Sequence, residues 1–193
     1  MRVACCVDGL DRAPEENTQH GTRNTQLYVG IDVARKHDLC VIDVGEKSGD
    51  VMWDRMRIEM QNATFAQMEA ELYRLLRLRE VKRACIDATG MGVQLAERAR
   101  QKFGWKVEPV NFTAAVKEEL AFGLRADFEE KRVRIVCDEK LAADLRSVRK
   151  EVTASGNLRF DGRADESHAD RFWAKALRQH AARSGPRVRA VVG

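Results

Sequence analysis

The chain has 193 residues, of which 44% are hydrophobic and 33% charged, and a formal net charge of +4. That length suits one globular domain with a real core and is too short for two large ones. The balance excludes a disordered chain, and no apolar run reaches transmembrane length, so a soluble, cytoplasmic protein without a membrane partner is expected.

Residues 1–25 are polar, carry Pro14 and Gly21 and show no sustained period, so they are expected to form a flexible leader or linker. A first strand is predicted over Leu27–Val33, with Leu27, Val29 and Ile31 on one face. A second follows over Asp38–Val44 and a third over Val51–Met60, with Gly45 and Gly49 marking the turn between them. Thr64–Arg79 reads as a helix: Phe65, Met68, Leu72, Leu75 and Leu76 form its stripe, and Thr64-x-x-Gln67 supplies a capping box. Arg83–Asp87 is a fourth strand, ending at the turn Thr89-Gly90-Met91-Gly92. A helix over Val93–Phe103 and a fifth strand over Lys106–Phe112 come next. Helices are then expected over Ala114–Lys131 and Glu139–Lys150. A hairpin spans Val152–Asp161 around Ser155-Gly156-Asn157, and a last helix covers Glu166–Arg183. The tail, 184–193, is irregular and expected to be flexible. Three meandering strands followed by helix–strand–helix–strand imply an α/β domain, 26–183, with a central mixed sheet: an antiparallel unit joined to a βαβ crossover.

Three acidic residues stand out because each ends or interrupts an apolar element. Asp32 lies near the carboxyl end of the first strand, on the face of Tyr28 and Gly30, and Gly30 leaves space beside it for an ion or phosphate. Asp87 ends the Ala84-Cys85-Ile86 run. If these strands are parallel neighbours, both carboxylates emerge at the sheet edge where ligands of α/β sheets gather. Asp170 shares a helix face with Trp173, Ala174, Leu177 and Ala181, so it points toward the core. A capping arrangement, Ser167-x-x-Asp170, would satisfy it equally well, and strand-end aspartates such as Asp43 and Asp161 read as turn formers. Three converging carboxylates make an oxygen-ligand site suited to two Mg²⁺ or Mn²⁺ ions, which serve phosphodiester hydrolysis. His168 and Glu166 are accessory candidates beside Asp170, although a surface histidine and a helix-dipole carboxylate are ordinary readings of both.

Other signals narrow the field. Gly90-Met91-Gly92 is not a dinucleotide fingerprint, and no G-x-x-x-x-G-K-[ST] occurs, so nucleotide binding by a phosphate loop is not expected. The glycines are expected to turn the backbone beneath Asp87 and to approach a DNA phosphate. Basic residues gather late in the chain, at Arg146, Arg149, Lys150, Arg159, Arg163 and Arg171. They read either as a solvated face or as a DNA path with salt-sensitive, sequence-independent binding. The five cysteines, Cys5, Cys6, Cys40, Cys85 and Cys137, form no C-x-x-C pair and read as reduced, mostly buried side chains rather than a zinc site.

The stretches Tyr28-Val29-Gly30-Ile31-Asp32, Ile86-Asp87-Ala88-Thr89-Gly90-Met91-Gly92 and Ser167–Ala174, with Asn111-Phe112-Thr113 and Lys117, resemble the nuclease domain of phage large terminase subunits, particularly the Mu-like branch. The likeness runs in order from Leu27 to Arg183. It implies a ribonuclease-H-like fold with five or more strands and an extra hairpin near the active site. It also implies Asp32, Asp87 and Asp170 as a metal-binding catalytic triad, with Lys117 facing the DNA or the site. The implied activity is endonucleolytic cutting of double-stranded DNA during packaging, in the host cytoplasm, alongside a small terminase subunit and a portal. Large terminases carry an ATPase motor before the nuclease, and the leader here is too short for one, so an isolated domain, a split subunit with a separate motor partner, or a prophage remnant is expected. A junction resolvase or transposase-type nuclease of the same fold, or a non-catalytic DNA-binding relic, remain competing expectations.

Overall fold

The computed structural model describes residues 25–33, 39–152, 158–161 and 169–183. The leader before residue 25, the hairpin tip at Gly156, Arg163, Glu166, His168 and the tail after residue 183 lie outside these, as does the side chain of Arg159.

The meander is β1 (Gln26–Asp32), β2 (Leu39–Ser48) and β3 (Val51–Gln61), each antiparallel to the next. Helix α1 (Phe65–Leu76) follows. The predicted capping box closes its start: the Gln67 amide donates to Thr64 Oγ1, and the Thr64 amide donates to Gln67 Oε1. Next come β4 (Val81–Asp87), α2 (Gly92–Phe103), one 3₁₀ turn and β5 (Val107–Val110), with β4 parallel to β1 and β5 parallel to β4. Then follow α3 (Ala114–Glu129), β6 (Val133–Arg134), α4 (Glu139–Ser147), the hairpin β7 (Arg149–Val152) and β8 (Leu158–Asp161), and α5 (Asp170–Arg183). The sheet order is β5-β4-β1-β2-β3-β6, the mixed sheet that the element pattern implies. The added sixth strand is only two residues long and pairs with Met52 and Trp53.

Alternation along the strands divides the core in two. Val29, Ile31, Ile42, Val44, Ala84 and Ile86 pack under Met68, Leu72, Leu75, Leu95 and Ala99 of α1 and α2. The opposite face meets α5 and α3 through Cys85, Leu120, Leu124, Phe172, Trp173 and Leu177. A fully buried side chain of this kind stabilises by about 1.5–3 kcal/mol, so both faces hold the sheet firmly. The hairpin joins the second layer by Phe160, edge-on to Phe122 of α3 at 5.7 Å between ring centroids. No helix among the described residues is long and apolar enough to cross a membrane.

Several local expectations are corrected. The β2–β3 turn sits at Gly49, with φ +59°, while Gly45 lies inside β2 at a break in register. Helix α4 stops at Ser147, so the hairpin begins at Arg149 rather than Val152. Asp43 is no turn former: it lies buried within β2, and cations of α5 satisfy it.

Candidate active site

Strand register brings the first two aspartates together. Ile31 and Ile86 are partners on parallel neighbours, so Asp32 and Asp87 are the next residues on strands about 4.8 Å apart. Both fall on the α5 face, in phase with the Gly30–Cys85 pair. The Asp87 carboxylate is held by Thr89, whose amide donates to Oδ1 at 3.0 Å and whose hydroxyl lies 2.6 Å from the same oxygen. Gly90, at φ +55°, makes the turn. A Cβ on Gly92 would lie 2.0 Å from the Asp87 carbonyl oxygen. That glycine therefore serves the close approach of α2 to the strand end.

Gly30 sets the position of α5. A Cβ there would lie 1.9 Å from the Ala174 carbonyl oxygen and 2.3 Å from the Arg178 amide nitrogen. The space that the sequence suggested for an ion or phosphate is filled by helix backbone. Ion pairs give direction: Arg171 pairs with Glu59, level with Val41 and Asp32, whereas Arg178 pairs with Asp54, level with Gly45 and Tyr28, so moving back along β1 means moving forward along α5. Strand and helix are antiparallel, and continuing from Gly30 to Asp32 leads to the helix start at Asp170. Asp32, Asp87 and Asp170 are 8%, 5% and 7% exposed. Immediately before Asp170, fully buried Ala169 adopts φ +61°, a left-handed conformation that costs a non-glycine residue about 1 kcal/mol or more. The surrounding packing holds the chain there and so fixes where the helix begins.

Lys117 reaches the same end of the sheet. Its Nζ sits 4.9 Å from the Trp173 ring centroid and 5.3 Å from that of Phe112, just beyond β5. Among the other basic candidates, Arg149 and Lys150 are exposed on β7, and Lys150 Nζ lies 5.5 Å from the Phe122 ring centroid. Arg171 is corrected: it is buried, with its guanidinium on Glu59 at 2.7 Å and Asp144 at 3.4 Å, so it is a structural cation rather than a surface phosphate contact.

Sequence reasoning missed the ionic layer beneath α5. Lys175 and Arg178, both 0% exposed, converge on Asp43 and Asp54 at 2.6–3.0 Å. Burial alone would raise the Asp54 carboxyl, but Lys175 and Arg178 together hold it below the usual carboxylate range. Two signals pointed there: Asp43 inside the apolar Cys40–Val44 run, and cations at 171, 175 and 178 on one helical face. A second polar cluster, Cys85, Glu108 and His180, lies on this face too. His180, then Arg83, draw the Glu108 carboxyl down to about 2, while burial and the Glu108 charge push the Cys85 thiol well up.

A family model described as the terminase RNaseH-like domain matches residues 29–181. The chain is 28% identical over 149 residues to the probable terminase large subunit gp28 of Escherichia phage Mu, covering 74% of this chain and 27% of that protein. The large terminase nuclease of thermophilic phage G20c, solved with bound magnesium, is 25% identical with a TM-score of 0.69, covering 82% of each chain. The nuclease domain of the Thermus phage P74-26 large terminase is 24% identical with a TM-score of 0.65, covering 80% of this chain and 78% of that one. The ribonuclease-H-like fold expected from the sequence resemblance is thereby borne out.

Proposed function

The chain belongs to the terminase RNaseH-like domain family, and from that premise we propose that it is a metal-dependent endonuclease cutting double-stranded DNA. The observations that support this reading are that Asp32 and Asp87 end adjacent parallel strands on the α5 face, that α5 begins with Asp170, and that all three carboxylates are buried. Buried carboxylates at close quarters repel one another and lack water's solvation, and divalent cations offset both costs. An all-oxygen donor set without Cys or His suits hard ions such as Mg²⁺ or Mn²⁺, and the G20c nuclease, known with magnesium, cobalt or zinc bound, supports divalent-metal use more broadly. When bound, two such ions would supply Lewis acidity to the attacking water and the leaving 3′ oxygen.

The chain's own groups set the geometry. Asp32, on the central strand, Asp87, presented by Thr89, and Asp170, fixed by the Gly30 contact of α5, would hold the ions. Lys117, stacked against Phe112 and Trp173, would offer its ammonium to a phosphate crossing that edge. Arg149 and Lys150, with Arg159 and Arg163, would extend the DNA path, and His168 and Glu166 are accessory groups in this reading. Residues 26–183 are the nuclease domain. The match spans 27% of gp28, and in this reading packaging brings in an ATPase motor, a small terminase subunit and a portal as partners.

Linear duplex and a four-way junction, each incubated with Mg²⁺, Mn²⁺ or chelator, test the proposal. Metal-dependent cuts in the duplex are expected. Cleavage confined to the junction would replace it with a resolvase, and metal-independent cleavage would remove the carboxylate centre from the reaction.

A further inference from the structure

Deeper along the same helix–sheet interface, three side chains of another chemical character converge. Cys85 of β4 and Glu108 of β5 are register partners, and His180 reaches them from the last turn of α5. Cys85 Sγ lies 3.4 Å from Glu108 Oε2, and His180 Nε2 lies 3.6 Å from Glu108 Oε1. One sulfur, one nitrogen and one oxygen thus all lie within 4.8 Å of one another. Ligand atoms around a tetrahedral ion with bonds of about 2.0–2.3 Å are separated by roughly 3.3–3.8 Å, and the contacts of Cys85 and His180 with the two Glu108 oxygens fall in that range.

We propose that Cys85, Glu108 and His180 form a second cation site, separate from the three aspartates, that takes Zn²⁺ or a similar borderline divalent ion. Thiolate and imidazole donors select such ions over Mg²⁺, which holds to oxygen. The three donors come from three elements, so only the folded chain assembles them, and a water would complete the tetrahedron. Cys85 is fully buried, but the side chains of Glu108 and His180 are 29% and 22% exposed, which leaves the ion a way in. Arg83 hydrogen-bonds to Glu108 Oε2 and orients the carboxylate, leaving Oε1, already turned to His180, for the ion. Binding exchanges the thiol proton, released to solvent, for a sulfur–metal bond, with no change of oxidation state. The ion would then clamp α5, which carries Asp170, to β4, which carries Asp87, and to β5.

Titrating the full chain with Co²⁺ tests this, because a thiolate ligand gives cobalt a sulfur-to-metal charge-transfer band in the near ultraviolet. The band should appear in wild type and in Asp32→Asn, be displaced by Zn²⁺, and vanish in Cys85→Ser, with Zn²⁺ affinity falling about 100-fold or more. His180→Ala, which changes a partly exposed side chain, should weaken the band and carries the test if Cys85→Ser fails to fold. Absence of the band in wild type would overturn the proposal. So would a band that survives either substitution at full strength, since the thiolate would then lie elsewhere, as at exposed Cys137. Retention of the band in Asp32→Asn keeps this result independent of the nuclease reading.

Discussion

Replacing Gly30 with alanine probes how α5 is seated. The added methyl would lie 1.9 Å from a carbonyl oxygen and 2.3 Å from an amide nitrogen, where ordinary contacts begin near 3.4 Å, so the helix must retreat by about 1 Å or more. Overpacking costs about 1–3 kcal/mol when flexible side chains can give way. Here the obstacles are backbone atoms of a helix tied down by Lys175 and Arg178, which puts the cost at about 3 kcal/mol or above. For a domain of this size that is a fall in melting temperature of about 6–12 °C. The retreat also carries Asp170 away from Asp32. Thermal melts with and without Mn²⁺, run beside DNA cleavage, should show a lower melting temperature, no stabilisation by metal and little cleavage. A variant that melts like wild type and cleaves at the wild-type rate would refute the antiparallel seating of α5 and the convergence derived from it.

Thr89→Val removes the hydroxyl on Asp87 but keeps the backbone amide. Cleavage should need about 10–100-fold more metal while melting without metal barely moves; equal metal dependence would dismiss the hydroxyl as an orienting group. Acid should destabilise the fold through Glu59. Hydrogen bonding to Arg171, then to Arg57, outweighs burial and lowers its carboxyl below the usual value. A depressed acid stabilises the native state fully above the unfolded carboxylate range, about pH 4.3, and loses that contribution as pH falls through its lower folded value. Melting temperatures between pH 5 and pH 3 should therefore fall more steeply for wild type than for Glu59→Gln, and parallel slopes would count against the linkage.

The central sheet was readable because strand parity and turn signals are local. Val29 and Ile31 face one layer while Gly30 and Asp32 face the other, whereas the parallel pairing of β1 with β4, a long-range contact, was only a condition until the structure showed it. The environment of α5 was not readable from periodicity. Its apolar stripe was found, but the pairing of Lys175 and Arg178 was not, because a cation's partners on distant strands leave no trace in the local pattern. Gly30 was noticed for the right reason, missing bulk beside Asp32, and given the wrong occupant. Only the three-dimensional packing shows that helix backbone fills the gap. The two-residue β6 was missed because so short a pairing has no alternation to read.

The central claim, that Asp32, Asp87 and Asp170 form a metal-dependent cleavage centre, is met most directly by supercoiled plasmid incubated with Mn²⁺, Mg²⁺ or EDTA and either wild type or Asp32→Asn. Nicking and linearisation that require the metal and disappear in a normally folded Asp32→Asn variant are the predicted result. Undiminished cleavage by that variant, or by wild type in EDTA, would contradict it.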